Sequence, residues 1–279
     1  MVSLPCLLRT LPALALVLAV AGCATPGGRP TGVEATVTTR AVGYLAADAV
    51  PASLQLVPAP PAAGSAAFAL DEQVSREARA LRGTPRFLQA TADAELAFPA
   101  GANQFACAID LDVEAQHTPA LYRLLERSRI DASAATRAAK HQYQRPRPFT
   151  VNGAPTCTPA DETALRGNGS YPSGHTAIGW AWALILSEIV PERADAIQVR
   201  GRNYGESRLV CNVHWQSDVL EGRFMGAAAV ARLHGNAAFE QDLQAARREI
   251  VQAHRAGRHA RRDCAAEEAV LKVRPASAL

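Results

Sequence analysis

Gly-Ser-Tyr-Pro-Ser-Gly-His-Thr-Ala, residues 169–177, runs straight into Ile-Gly-Trp-Ala-Trp-Ala-Leu-Ile-Leu, residues 178–186. The second half is apolar over more residues than a strand needs and is stopped by Pro191, so it reads as a buried helix. The Ser-Gly-His triplet then sits at that helix's N-terminus, where unpaired N–H groups and the helix dipole favour an anion. Ser173 has two roles open there, as an N-cap or as a ligand of that anion. A serine nucleophile is the weaker reading, because G-x-S-x-G needs glycine where Tyr171 and His175 stand. The chain also contains no G-x-x-x-x-G-K-[ST] phosphate loop.

Outward from this stretch the pattern stays helical. Leu70, Val74 and Ala78 share one face within 70–81 by i, i+4 spacing. Thr84-Pro85 and Thr118-Pro119 each supply a cap and a first-turn proline. The alanine-rich segment 132–144 is expected to end before Pro146 and Pro148. Segment 191–208 reads as an amphipathic helix ending at a glycine-containing turn, and 214–235 and 236–257 as two further helices. Period-two alternation is nowhere long enough to propose a sheet. The expected fold class is all-α.

Composition bounds the function. In 279 residues, 48% are hydrophobic, 20% charged and 5% aromatic, which is enough apolar content for one large domain. A formal net charge of +3 does not suggest a binder of nucleic acid polymers, so any anion site has to be local. Residues 1–22 read as a secretory signal, too short and too poorly flanked for a permanent span. Val20-Ala21-Gly22-Cys23 resembles a bacterial lipobox, which makes Cys23 the expected lipidated N-terminus of a protein in the periplasm, anchored to the outer membrane. Residues 23–64 read as a tether and extended arm, 65–257 as the helical domain, and 258–279 as a charged tail. Cys107, Cys157, Cys211 and Cys264 remain in the exported chain, an even number that reads as two disulfides with three connectivities open. No zinc-ligand spacing is present, and the expected metal content of the site is none.

Two basic segments flank the opening stretch. Lys-His-Gln-Tyr-Gln-Arg-Pro-Arg-Pro, 140–148, places Lys140 and Arg147 seven residues apart, which on a continuous helix is two turns of one face. Ser-Arg-Leu-Val-Cys-Asn-Val-His-Trp-Gln-Ser-Asp, 207–218, puts His214 and Asp218 one helical turn apart. There the carboxylate would fix the imidazole tautomer. Taken singly, the first is also a solvated helix end and the second a structural His–Asp staple. Read together, Lys140 to Arg147-Pro148, Pro172-Ser173-Gly174-His175, and Ser207-Arg208 with His214 and Asp218 match K-x6-RP, PSGH and SR-x5-H-x3-D. The chain therefore resembles the phosphatidic acid phosphatase type 2 / vanadium haloperoxidase superfamily. Its longer Gly-Ser-Tyr-Pro-Ser-Gly-His-Thr resembles bacterial class A non-specific acid phosphatases.

That resemblance implies a helical acid phosphatase domain acting on small phosphomonoesters without a cofactor, phosphate or inhibitory vanadate occupying the pocket. It implies His214 as nucleophile, Asp218 as its partner and His175 as general acid. Lys140, Arg147, Arg208, Ser173 and the N–H of Gly174 would be the phosphate ligands. A homodimer is expected from the resemblance alone. Vanadate-dependent haloperoxidase or phosphotransferase chemistry in the same pocket, and a non-catalytic phosphate-binding lipoprotein, stay open at this point.

Overall fold

The structure is a computed structural model that describes residues 41–279; Cys23, the expected signal and the tether up to residue 40 lie outside the described residues. All regular elements among the described residues are helical, so the fold is all-α. The longer helices are α1 (Ala66–Arg79), α2 (Pro85–Ala92), α3 (Pro119–Ala134), α4 (Arg137–Tyr143), α5 (Gly174–Ile189), α6 (Ala194–Val210), α7 (Gln216–Leu233), α8 (Ala237–Arg255) and α9 (Cys264–Leu271). None is long and apolar enough to cross a membrane.

The apolar run read from the sequence becomes the axis of the bundle. Ala177, Ile178, Ala181, Trp182, Ile185 and Leu186 of α5 are all buried, and α3, α6 and α7 pack around it, with α8 covering α3. Of the two Thr-Pro pairs, Thr84 caps its helix as the sequence suggests, whereas the Thr118 hydroxyl turns back to the Glu114 backbone and does not cap α3. Ser65 accepts from Phe68 N at the head of α1, and Thr84 accepts from Phe87 N ahead of Pro85 in α2.

The glycines of α6 depart from expectation. Instead of forming a turn, Gly201 and Gly205 lie inside a helix that continues to Val210. A Cβ on Gly201 would fall 2.4 Å from Ala183 Cβ, and one on Gly205 would fall 2.8 Å from Thr176 Cγ2. Close approach to α5 therefore outweighs the ~0.5–1 kcal/mol that an interior helical glycine costs relative to alanine. On the other side of α5, a Cβ on Gly226 of α7 would meet the Ala177 carbonyl oxygen at 2.5 Å. Both helices press their backbones onto the first turns of α5, which carry the Ser-Gly-His triplet.

The arm ahead of α1 is part of this packing from Tyr44 onward. Tyr44 N donates to Asp131 Oδ2 at 2.8 Å, Ser53 Oγ accepts from Ala139 N at 3.0 Å, and the Pro58 carbonyl accepts from Tyr171 Oη at 2.8 Å. Two disulfides form, Cys107–Cys264 and Cys157–Cys211, with Cα–Cα distances of 5.3 and 4.6 Å. This selects one of the three connectivities. The first ties α9 to the body, and the second ties the 153–168 segment, which carries a short helix at Glu162–Arg166, to the stretch between Arg208 and His214. His259, in the tail, pairs with Asp110 at 2.8 Å away from the motifs.

Candidate active site

Helix α5 begins where Ser173 stops the extended backbone. Ser173 N donates to the Asp218 carbonyl at 2.8 Å, which joins the head of α5 to the head of α7. The Ser173 hydroxyl accepts from Thr176 N at 3.3 Å and from Thr176 Oγ1 at 2.9 Å. With both lone pairs engaged, what the hydroxyl has left is its one hydrogen. Ser173 is thus an N-cap, and it also keeps a donor for an anion; the two roles are compatible. Beside it, the N–H groups of Gly174 and His175 have no intrahelical acceptor.

The first basic segment is arranged differently from its sequence reading. Helix α4 stops at Gln144, which adopts φ 42°, and Arg147 is the N-cap of a separate short helix, Pro148–Asn152. Lys140 and Arg147 therefore do not share a helix face; a turn brings them together. Lys140 Nζ donates to the Gly169 and Ser170 carbonyls at 2.9 and 3.1 Å, leaving one of its three hydrogens. Its methylene Cε lies 3.7 Å from where a Cβ of Gly174 would be, so the ammonium sits over the head of α5.

Arg147 spends most of its donors on the chain. Nε donates to the Leu165 and Asn168 carbonyls at 3.1 and 3.0 Å, and Nη1 to the Val213 carbonyl at 2.9 Å. Nη1 also lies 3.2 Å from His214 Nε2. Only Nη2 is lightly used, with the Gly169 carbonyl at 3.4 Å. A full guanidinium fork on a ligand, as the resemblance implies, is not what Arg147 offers. It supplies charge and one edge.

Arg208 is the opposite case. It is 3% exposed, its Nε has no partner among the described residues, and Nη1 reaches only the soft acceptor Cys211 Sγ, at 3.8 Å, among them. No carboxylate among the described residues pairs with it. Its neighbour Ser207 instead holds the wall, bonded to Asp93 Oδ2 at 2.5 Å and accepting from Arg86 Nη1 at 2.9 Å.

His214 is not on a helical turn with Asp218 but just outside α7, whose N-cap is Trp215. The two meet because Asp218, in the first turn of α7, reaches back. Its Oδ2 lies 3.2 Å from His214 Nδ1 and accepts from Trp215 N at 2.9 Å. The hydrogen bonds fix the tautomer. A carboxylate on one side asks Nδ1 to carry the hydrogen, and a guanidinium on the other requires Nε2 to offer a lone pair. Burial, followed by Arg147, Lys140 and Arg208, holds the His214 imidazole well below its ordinary 6.5.

His175 is partly exposed, one residue into α5, and its Nε2 lies 2.9 Å from the Ala94 carbonyl. A carbonyl only accepts, so Nε2 carries a hydrogen and Nδ1 is the atom free to exchange a proton. Burial, with Arg208, Arg147 and Lys140, also pushes this imidazole well below 6.5. Lys140 is held below the ordinary ammonium range by burial and by Arg147. The Asp218 carboxyl is pushed up by burial and pulled back by Arg145, the Trp215 N–H and Lys140.

Three cations and two neutral imidazoles thus face one another, with Asp218 standing behind one of them. Such a cluster suits a tetrahedral anion with two negative charges. Arg145, Asp71 and the Ala94 carbonyl belong to its surroundings without being expected there. Only Arg145 left a trace in the sequence, as a second arginine in the Pro-rich segment. A separate cavity of about 700 Å³ between α6 and α9, beside the Cys107–Cys264 bridge, contains none of the motif residues.

Comparison with known proteins identifies the family. Residues 129–238 match the PAP2 superfamily. The chain is 46% identical to a non-specific acid phosphatase of Providencia stuartii over 71% of its length and 81% of the relative's. It is 40% identical to an acid phosphatase of Zymomonas mobilis over 72% of its length and 75% of the relative's. The corresponding figures for a non-specific acid phosphatase of Salmonella typhimurium are 40%, 70% and 78%. With its three motifs folded into one cationic pocket and relatives of this similarity, the chain belongs to the bacterial acid phosphatases of the PAP2 superfamily.

Proposed function

We propose that the enzyme hydrolyses a broad range of small phosphomonoesters through a phosphohistidine on His214, without a metal. The observation that carries this reading is the His214 ring. Its Nε2 lone pair is turned toward the cations while Nδ1 is backed by the buried Asp218. Nε2 attacks phosphorus in line with the leaving oxygen, and the P–O bond breaks as the N–P bond forms. Arg208, Lys140, the free edge of Arg147, the Ser173 hydroxyl and the Gly174 and His175 N–H groups hold the equatorial oxygens. The leaving alkoxide takes a proton from His175 Nδ1. Water then attacks the phosphohistidine, returning a proton to His175, and inorganic phosphate leaves.

The depressed His175 value fits this role once the ligand is counted. A phosphate dianion offsets the three cations that disfavour the imidazolium, so substrate brings the general acid into its protonated form. Three cations around one carboxylate also repel a metal ion, and they supply the neutralisation that a metal would otherwise provide. The breadth of substrate is supported by relatives named non-specific. A substrate panel with and without chelator, near pH 5–6, is the test. Turnover of p-nitrophenyl phosphate should survive EDTA and be inhibited competitively by vanadate. Complete loss on chelation, restored by zinc or magnesium, would overturn the metal-free mechanism.

We infer further that the enzyme works in the periplasm as a lipoprotein. Two disulfides suit an oxidising compartment, and the lipobox ends at Cys23. Labelling cells with a radioactive fatty acid should mark the mature chain. An unlabelled chain starting at Ala24 or later would refute the anchor.

A further inference from the structure

Contacts of His214 do not end at Asp218. Oδ1 of Asp218 accepts from Arg145 Nη1 at 2.7 Å, and Nη2 of the same guanidinium donates to Asp71 Oδ2 at 2.7 Å. Asp71 also accepts the backbone N–H of Ser217 at 2.7 Å and its hydroxyl at 2.6 Å. The Arg145 and Asp71 side chains are 6% and 1% exposed. The guanidinium lies against the Phe68 and Trp215 rings, at 5.9 and 5.5 Å from their centroids.

We propose that Arg145, held in place by Asp71, is a positioning residue for the hydrolytic reaction: it fixes Asp218 as an oriented carboxylate behind His214. This rests on the reading of His214 as nucleophile. The allocation of oxygens carries the argument. Oδ2 serves His214 and Trp215 N, and Oδ1 is taken by Arg145, so the carboxylate has no freedom to rotate. Asp71, Arg145, Asp218 and the imidazole then alternate in sign when phosphorylation makes the ring positive. Every charge in the row has an opposite neighbour. The row also gives α1, which precedes all three motifs in sequence, a stake in the chemistry through one side chain.

Removing the guanidinium leaves a wholly buried carboxylate with one oxygen unpartnered, which favours its protonation. The other groups that face Asp218 are His214, Lys140, Arg147 and the Tyr171 phenol. Among all of these, Arg145 contributes most to keeping Asp218 ionised. A protonated Asp218 still fills its space but no longer stabilises an imidazolium. The loss therefore falls on turnover and not on phosphate binding.

Kinetics, rapid quench and inorganic phosphate binding on the full chain, with Arg145→Gln, Arg145→Lys and Asp71→Asn, test this. In Arg145→Gln, kcat should fall by about 10–100-fold, with affinity for inorganic phosphate within about threefold of wild type. Its acid limb should move to higher pH, since Asp218 then takes up its proton earlier as pH falls. Arg145→Lys, which keeps the charge without the fork, should recover the acid limb but only part of kcat. Asp71→Asn should give a smaller loss of the same kind.

A folded Arg145→Gln with wild-type phosphorylation rate and acid limb would overturn the inference. So would parallel losses of kcat and phosphate affinity, which mark a collapsed pocket. If the glutamine variant does not fold, Arg145→Lys decides: reduced kcat at unchanged phosphate affinity supports positioning, and unchanged kcat refutes it. Absence of phosphohistidine in the wild type would remove the nucleophile reading and this inference together. Normal phosphohistidine in wild type and Arg145→Gln alike removes this inference alone.

Discussion

His214→Ala should form no phosphoenzyme with any substrate, whereas His175→Ala should still form it from substrates whose leaving group departs without a proton. The difference follows from where the two rings sit. His214 presents Nε2 to the cationic cluster and keeps Nδ1 against Asp218, so alanine removes the pocket imidazole that a carboxylate backs. His175 is tied through Nε2 to the Ala94 carbonyl and has Nδ1 for a proton. Without it, p-nitrophenolate still leaves, but a glycerol alkoxide needs protonation as the P–O bond breaks. The penalty on kcat/KM should thus be small for p-nitrophenyl phosphate and on the order of 10²–10⁴-fold for glycerol phosphate, the range that general acid catalysis supplies. Water attack also loses its base in this variant, so acid-labile phosphate should accumulate on His214. Rapid quench with ³²P-labelled substrate reads all of this. Label recovered on Ser173 would contradict the assignment, and so would equal penalties for the two leaving groups.

How much of this was legible in the sequence varies with the physical origin of each feature. Helix α5 was readable end to end, because its apolar run, its cap and its stopping proline are all local signals. The motif spacings named residues that do meet in the fold, but through a local geometry other than the one the spacing suggests. Lys140 and Arg147 lie on either side of a left-handed Gln144, and His214 lies outside the helix that carries Asp218. Spacing records only that the residues meet; whether a turn or a helix brings them together is settled by packing. Gly201 and Gly205 look like a turn in one dimension and are contact points in three, since the atoms they approach belong to α5. The bond from Arg145 to Asp71 spans 74 residues, and nothing in an amphipathic α1 distinguishes that carboxylate from a solvated one. Disulfide pairing was equally out of reach, because four cysteines constrain their number and not their partners.

Arg208→Met should cost about 10²–10³-fold in kcat/KM, ~3–4 kcal/mol of transition-state stabilisation, by analogy with losing an oxyanion donor. At the same time, it should leave the phosphate-free protein as stable as wild type or more so. Arg208 is the one cation of the pocket whose fork is not committed to the chain, so it is the group with most to give to a developing phosphoryl charge. In the absence of ligand that same freedom is a liability, since a buried charge with no ion pair among the described residues, and only the more distant Asp93 and Asp161 to offset its lost water, gains little in return. Methionine fills the space without the charge. The pH dependence sharpens the expectation. Arg208 helps to depress both His175 and His214 below 6.5. The unfolded chain therefore binds protons that the folded one does not, and stability falls as pH drops through 6.5. Above that value both states are neutral and the effect vanishes. Taking Arg208 away relaxes the depression, so the variant's advantage in thermal midpoint should be larger at pH 5 than at pH 7.5. Inorganic phosphate should raise the midpoint of the wild type far more than that of Arg208→Met, because binding to the folded state stabilises in proportion to affinity. Thermal unfolding at the two pH values, with and without phosphate, separates the alternatives. A midpoint that falls together with activity would make Arg208 a structural residue, while lost activity with retained stability marks a charge held in reserve for the substrate.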